Sequence, residues 1–177
     1  MAAGSKPTSS CSRRHGANTE ALAGSGITLR DGAIVDEYCW TNLDGIAAAG
    51  DASRQYHPLY HEHLRVEHID NVNRQGAAAV GNLLGRRTAH NDPPWFRSDQ
   101  FGRNLLYAGH GRGCDQMVIR GDIQGLDFVV FYLKNGILRA AFAINRGDDI
   151  AAARQLIAAR ATPSPATLAD KDALLAI

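Results

Sequence analysis

A dense group of potential metal ligands and acid–base groups lies between residues 57 and 70. Imidazole and carboxylate groups of this kind suit zinc or nickel, and His61 and His63 would share one face of a strand. The spacing matches no zinc signature, and a solvated loop with scattered histidines accounts for the same residues. A His-rich metal-binding module is therefore one interpretation of the segment. Its members are His57, His61, His63 and His68, with Glu62, Glu67 and Asp70.

A second carboxylate, Asp51, follows a run of small apolar residues. The run Ile46–Ala49 predicts a buried strand that ends on Gly50 and Asp51. The carboxyl end of a buried strand is a common place for a ligand, where an acidic acceptor can hold a hydroxyl group. Asp51 could equally cap a helix or a turn, and the tetrapeptide alone leaves both interpretations open.

The elements around these residues follow from periodicity and turn chemistry. Residues 26–51 predict two short strands joined at Asp31-Gly32. A helix is predicted to begin near Asn71, capped by Asp70 or Asn71, and to stop at Gly85. Its apolar residues recur at helical spacing, namely Val72, Ala79, Val80, Leu83 and Leu84. Its small residues from Gly76 to Ala79 predict a face against which another segment packs closely.

The second half of the chain predicts strands followed by helices. A polar segment, 86–93, ends in Asp92-Pro93-Pro94 and serves as a linker. The glycine cluster 109–113 lacks a following helix, so it predicts a loop in a hairpin rather than a dinucleotide fingerprint. Asn135-Gly136 predicts a hairpin turn. Two helices follow, one through Arg160 with Ile150, Leu156 and Ile157 on one face, and one from Ser164 to Leu175. The predicted strands are Leu105–Ala108, Gln116–Arg120, Asp127–Leu133 and Ile137–Ile144. The prediction is an α+β fold with a mostly antiparallel sheet and flanking helices.

Composition excludes several classes of function. The formal net charge of +1 provides no broad cationic surface for nucleic acid. The longest apolar run, Phe128–Leu133, is far short of the roughly 20 residues that cross a bilayer. Three cysteines without a CxxC pair favour a reducing, cytoplasmic location. Residues 1–16 resemble no secretory signal and are predicted to be disordered.

Five stretches carry a resemblance to a known family. They are ANTEALAGSGI, DGAIVDEYCWTNLDGIAAAGD, RVEHIDNVNRQGAAAVGNLLG, SDQFGRNLLYAGH and FVVFYLKNGILRAAFAINR. In this order and spacing they resemble bacterial FAD-dependent ferredoxin and rubredoxin reductases, from Ala17 to Ile177. The resemblance implies that 17–85 is the last piece of an FAD-binding α/β domain and that 94–177 is the reductase C-terminal domain. Its abrupt start indicates a truncated or aberrant N-terminus at 1–16.

The resemblance also implies a function. Family members pass electrons from NAD(P)H through FAD to a ferredoxin or rubredoxin-type carrier. The GxGxxG units of the family are absent from this sequence, so the chain is expected to be inactive alone and to hold only part of the FAD site. Edges left unpaired in this way would favour self-association. A partner-docking module without catalysis is the alternative.

By resemblance, five residues face the flavin: Asp51 at the ribityl chain, Glu67, His68 and Ile69 along the isoalloxazine edge, and Arg97 as a neighbour. The helix that follows Ile69 would offer backbone donors and a positive dipole. Glu67 could instead pair with Arg65 or cap the helix. The family usually has tryptophan at the positions of Ile69 and Arg97, so flavin stacking is expected to differ, with Trp95 or Phe96 substituting only after a change of register.

Overall fold

The computed structural model of the chain describes residues 16–175, so the predicted disordered segment 1–16 falls outside them except for its last position. The first part contains a three-stranded sheet, in which β1 pairs in parallel with β2 and β2 pairs antiparallel with β3. Helix α1 follows. The bounds are β1 Ala33–Val35, β2 Ser53–His57, β3 Glu62–Leu64 and α1 Ile69–Leu83.

The second part is a five-stranded antiparallel sheet in the order β4-β5-β8-β7-β6, followed by two helices. The strands are β4 Trp95–Gln100, β5 Arg103–Gly109, β6 Gln116–Asp122, β7 Asp127–Lys134 and β8 Ile137–Ile144. The helices are α2 Gly147–Ala158 and α3 Pro165–Ala169. The predicted α+β architecture, with a mostly antiparallel sheet and flanking helices, is confirmed.

One face of the five-stranded sheet forms the core. Alternate residues of β5, β7 and β8 point toward α2, whose Ile150, Leu156 and Ile157 are buried as predicted. Tyr60 and Leu64, from the first part of the chain, join the same core. Because the two parts share buried apolar side chains, the position of the first sheet is fixed relative to the second.

The helices differ from prediction mainly at their ends. The helix α3 is capped by Ser164, whose Oγ accepts from the Thr167 amide at 3.0 Å, but it stops at Ala169 rather than near Leu175. The helix α1 begins at Ile69, two residues before the predicted Asn71. Within residues 16–175, no helix is both long enough and apolar enough to cross a membrane.

The predicted strand Ile46–Ala49 is wrong. These residues lie half-exposed in an irregular segment, where the Ala48 amide donates to Cys39 O at 3.0 Å. Gly50, with φ of +70°, opens a one-turn 3₁₀ helix through Ala52. A left-handed glycine ends extended backbone, and among residues 16–175 the β pairing of this segment is limited to a single bridge between Trp40 and Ala47.

The predicted hairpin around the glycine cluster 109–113 is also wrong, although the cluster does form a loop. Strand β5 is second in the sheet and β6 is at the far edge, so the loop crosses the ends of β8 and β7. A side chain at Gly109 would overlap the backbone of Arg139, and its φ is +85°. Glycine is therefore required by this close crossing. The Asn135-Gly136 hairpin is confirmed, with both φ values positive.

Three strands were not predicted. The short strands β2 and β3 consist mostly of polar and histidine residues, and β4 is an edge strand that, within residues 16–175, pairs only with β5. None has the continuous apolar run by which β7 is recognised. Of the two strands predicted in residues 26–51, the first is not formed. In its place there is a single bridge between Leu29 and Ala33, next to the Asp31-Gly32 turn.

Candidate functional site

An open, largely apolar cavity of about 420 Å³ lies where α1 begins beside β4. The cavity brings together four of the five residues predicted to face the flavin, from segments that are far apart in sequence. Its lining residues are Glu67, His68, Ile69 and Asp70 from the start of α1, and Trp95, Phe96 and Arg97 from β4. Sequence spacing alone did not indicate that β4 would meet α1 here.

The start of α1 presents backbone donors at this cavity. His68 is the N-cap residue, in extended conformation and without a side-chain cap hydrogen bond. The first intrahelical bond runs from the Val72 amide to His68 O at 3.0 Å. The amides of Ile69, Asp70 and Asn71 precede that bond and have no acceptor within the helix. They provide a positive helix end beside the cavity, which suits an acceptor or a developing negative charge.

Aromatic rings form one wall of the cavity. The His68 ring lies 4.7 Å from the Phe96 ring at an interplanar angle of 33°, and Phe96 stacks on Tyr107 at 5.7 Å. Burial lowers the pKa of His68, against an opposing effect of the Glu67 backbone and of the carboxylates of Asp51 and Glu67. The two rings pack against each other at the cavity wall, where they offer aromatic contact to a planar ligand.

Trp95 borders the same cavity with an indole N–H that is buried and has no hydrogen-bond partner among the described residues. The Arg154 guanidinium lies 4.6 Å from the centre of the indole ring, and burial lowers the pKa of Arg154. The backbone donors at the start of α1, beside the aromatic wall, fit a planar group that carries acceptor atoms, such as the flavin.

Glu67 and Arg97 already have partners of opposite charge. Glu67 Oε1 lies 2.6 Å from Arg65 Nη1, which is the alternative role considered for Glu67 from the sequence. Arg97 Nη2 lies 3.2 Å from Asp99 Oδ2, with both side chains exposed. The exposed Arg97 pair contributes little to stability, so Arg97 is free to reorient toward a ligand, whereas Glu67 is held by a largely buried arginine.

Asp51 lies beside the cavity rather than in its lining. It is exposed in the 3₁₀ turn after Gly50, and its charge acts on the His68 imidazole. A Cβ on Gly50 would lie 3.5 Å from Val72, which places the turn against the first turn of α1. Asp51 therefore occupies a helical turn, not the end of a strand.

The histidines of the 57–70 segment do not converge. His57 is buried, with Nε2 at 3.1 Å from Asp92 O, whereas His61 Nε2 lies 2.8 Å from Arg160 Nη1. His63 packs edge-on against Tyr56, and His61 has a left-handed φ of +54°, so the two do not share a strand face. Across residues 16–175, no group of three or more His, Cys, Asp or Glu side chains could hold a metal ion.

The apolar residues whose spacing predicts α1 do not form its buried face. Of these five residues only Ala79 is buried, whereas Val72, Val80, Leu83 and Leu84 are exposed. The helix instead buries Asn71, Gln75 and Asn82. The spacing of residues 71, 75, 79 and 82 is itself helical, so the signal was present in the sequence but consisted of amide side chains that are usually exposed.

Comparison of the sequence with known proteins identifies relatives among the ferredoxin reductases. The sequence model of the family described as "Reductase C-terminal" matches residues 95–176. The ferredoxin–NAD(+) reductase component of the anthranilate 1,2-dioxygenase system of Burkholderia cepacia is 40% identical over 154 residues, which are 86% of this chain and 38% of that protein.

Solved structures give the same result. The ferredoxin reductase for the CYP199A2 system from Rhodopseudomonas palustris superposes with a TM-score of 0.85 at 31% identity, over 90% of this chain and 40% of that one. The covalent putidaredoxin reductase–putidaredoxin complex gives 0.84 at 30% identity, over 89% and 38%. The chain thus spans about two fifths of the length of these relatives. In sequence and in fold, the chain matches the C-terminal portion of ferredoxin reductases, and its residues 95–176 belong to the family described as "Reductase C-terminal".

Proposed function

We propose that this chain supplies the C-terminal part of an FAD-dependent NAD(P)H:ferredoxin or rubredoxin oxidoreductase. The observation that carries the proposal is the cavity at the start of α1, where Glu67, His68, Ile69 and Arg97 meet free backbone donors and an aromatic wall. The relatives named as ferredoxin reductases support the reaction class.

When bound, FAD supplies the redox chemistry, accepting a hydride from the nicotinamide and delivering single electrons to an iron–sulfur or rubredoxin-type carrier. The residues of this chain bind and orient it. The amides at the start of α1 donate to the acceptor edge of the ring and stabilise negative charge there. His68 and Phe96 limit the space beside the ring, and Asp51 accepts a hydrogen bond from a ribityl hydroxyl.

The site differs from the usual family pattern at two positions, where Ile69 and Arg97 stand in place of tryptophan. Ile69 is 78% exposed at the mouth of the cavity, and Arg97 extends from an edge strand. Phe96 and Trp95 line the cavity without any change of register, so aromatic contact with the flavin is retained through them. Introducing Ile69→Trp would extend the aromatic wall and tighten flavin binding, with little effect on stability because the position is exposed.

The 177-residue chain contains no GxGxxG segment, so we propose that it binds FAD too weakly to retain it through desalting and has no reductase activity by itself. The nicotinamide cofactor would bind outside these residues. A ferredoxin or rubredoxin-type protein is the proposed electron acceptor, as the name of the putidaredoxin complex indicates for that relative. No nucleic-acid partner is proposed, because the charge is nearly balanced.

The test uses the purified chain with added FAD. After desalting, the visible flavin spectrum is expected to be nearly absent, whereas excess FAD in solution slows amide exchange at residues 69–71, since the ligand accepts hydrogen bonds from those amides. Stoichiometric flavin retained on the column would contradict weak binding. Exchange at residues 69–71 that does not respond to FAD, while Ile69→Trp changes nothing, would contradict the site.

A further inference from the structure

A closed network of amide side chains lies beneath the start of α1, on the side opposite the exposed apolar face. Gln75 is at its centre and is 1% exposed. Its Oε1 lies 2.8 Å from the Gly50 amide and 3.1 Å from both Asn71 Nδ2 and Ser53 Oγ. Its Nε2 donates to Gln55 Oε1 at 3.1 Å. A single carboxamide therefore ties α1 to the Gly50–Ala52 turn and to β2.

The network closes through His90, in the polar segment before β4. Gln55 Nε2 donates to His90 O at 2.7 Å, and His90 Nε2 lies 3.1 Å from Asn71 Oδ1. Since an amide oxygen only accepts, His90 must carry its proton on Nε2. The side-chain oxygens and nitrogens of Gln55, Asn71 and Gln75 all have partners in this network, which makes its geometry well defined.

Resting on the function proposed above, we infer that Gln75 is a positioning residue for the flavin site. It fixes the left-handed Gly50, and with it the adjoining Asp51, against the first turn of α1. The α1 amides and the Asp51 carboxylate are expected to hold opposite ends of the flavin–ribityl unit. Gln75 therefore fixes the distance between these two groups. Gln75 itself contacts neither the cavity nor the ligand.

The variant Gln75→Met tests this inference in the full chain. Methionine has similar length but cannot accept from Gly50, so exchange of the Gly50 amide is expected to accelerate about tenfold or more. The FAD concentration that half-protects residues 69–71 is expected to rise by a comparable factor. Gln75→Glu keeps an oxygen that accepts from Gly50, so it is expected to restore slow exchange at Gly50.

Asn82→Leu is the matched control. Asn82 is equally buried on the same helix and bonds Tyr38 O, Thr88 O and the Thr88 amide, all remote from Gly50. It is expected to lower the melting temperature like Gln75→Met while leaving Gly50 exchange and the FAD response unchanged. Equal effects of the two variants on the FAD response would overturn the inference.

A measurement on the unaltered chain decides the case if Gln75→Met does not fold. The Gln75 carboxamide protons and the Gly50 amide should both exchange slowly there, and fast exchange at Gly50 would overturn the inference. If FAD protects no residue of the unaltered chain, the proposed function fails and the flavin part of the inference fails with it. If FAD protects residues 69–71 equally in the unaltered chain and in Gln75→Met, the inference alone fails.

Discussion

At the residue scale, the two cysteines in the described part of the chain differ in reactivity. Cys39 is fully buried, with Sγ 3.8 Å from Gln75 O, and burial together with the Asp36 charge raises its pKa to about 12. Cys114 lies half-buried in the loop after β5. Because the thiolate is the reactive form, Cys39 should be inert while the protein is folded.

We therefore expect iodoacetamide at mildly alkaline pH to alkylate Cys114 in the native chain at least about tenfold faster than Cys39. Peptide mapping by mass spectrometry after timed quenching measures the two rates. In denaturant the two thiols should react alike, which serves as the control. Comparable native rates would mean that Cys39 is not held as the structure describes.

His57 makes stability depend on pH. It is buried near His90 and His110, contacts the Tyr60 ring, and lies close to Asp92. Desolvation lowers its pKa to about 4, despite the Asp92 carbonyl that raises it. A group whose pKa is lower in the folded state binds its proton more tightly when unfolded, so its contribution is complete above pH 6.5 and is lost as the pH falls toward 4.

Urea unfolding between pH 7.5 and 4.5 should accordingly show a loss of stability, of which His57 accounts for about 2–3 kcal/mol. His57→Gln, which does not titrate, is expected to flatten this dependence, although it also lowers stability at neutral pH. His61→Gln is the control, since that histidine is exposed. An identical slope in His57→Gln and the unaltered chain would refute the assignment.

At the element scale, one arginine links the edge strand β6 to the segment that follows α3. Arg120 is buried in β6, with Nε 3.2 Å from Asp149 at the start of α2. Its Nη2 donates to Lys171 O at 3.2 Å and to Ala173 O at 2.8 Å. One guanidinium therefore joins the edge strand, α2 and the segment after α3.

Replacing it by Arg120→Met is expected to destabilise the chain by roughly 2–3 kcal/mol, because two carbonyls lose a buried hydrogen-bond donor and the Asp149 carboxylate loses a buried positive charge. The loss stays in this range since Asp149 keeps Arg146 at 2.7 Å. Arg120→Lys should not restore stability, as an ammonium cannot span the three acceptors in the same geometry. Thermal unfolding measures both, with the exposed Arg103→Met as a control expected to cost less than about 0.5 kcal/mol.

At the scale of the whole molecule, the two sheets meet through a mixed aromatic and charged contact. The Arg139 guanidinium lies 4.7 Å from the Tyr60 ring centre and 3.6 Å from Glu62, and His110 Nε2 is 3.7 Å from the same carboxylate. With Tyr60 and Leu64 in the core of the larger sheet, this contact fixes the start of α1 relative to β4. The candidate flavin cavity lies between the start of α1 and β4, so its shape depends on this contact.

The outer face of α1 is the other feature at this scale. Val80 is 57% exposed and Leu84 is 78% exposed, in line with Val72 and Leu83. Apolar surface on a helix favours contact with another apolar surface. We expect the chain to self-associate with rising concentration, through this helix face rather than through the sheet edges expected from the sequence.

Sedimentation velocity over a range of concentrations checks this expectation. Val80→Lys combined with Leu84→Lys should weaken association by about tenfold or more, since two apolar side chains would then place charge in the contact. Met117→Lys, 65% exposed on β6, is the matched control and should leave association unchanged. A chain that stays monomeric at every concentration would contradict the expectation.

The sequence by itself determined what depends on local pattern. The apolar runs of β7 and β8, the positive-φ turn at Asn135-Gly136, the Ser164 cap and the buried stripe of α2 follow from spacing and residue type. The quoted motifs also identified the family, and four of the five residues predicted from them, Glu67, His68, Ile69 and Arg97, line one cavity. These features rest on interactions between near neighbours in the chain or on motif order.

Only the tertiary structure decided which surfaces meet. The tertiary structure placed β4 beside α1, although the mostly polar sequence of β4 gave no strand signal. It also buried the amide side chains of α1, because Gln55, Ser53 and His90 form hydrogen bonds with them. It put Asp51 in a turn rather than at a strand end, since the left-handed Gly50 is held by Gln75. A buried polar face is favourable only when its partners are present, and those partners come from elements distant in sequence.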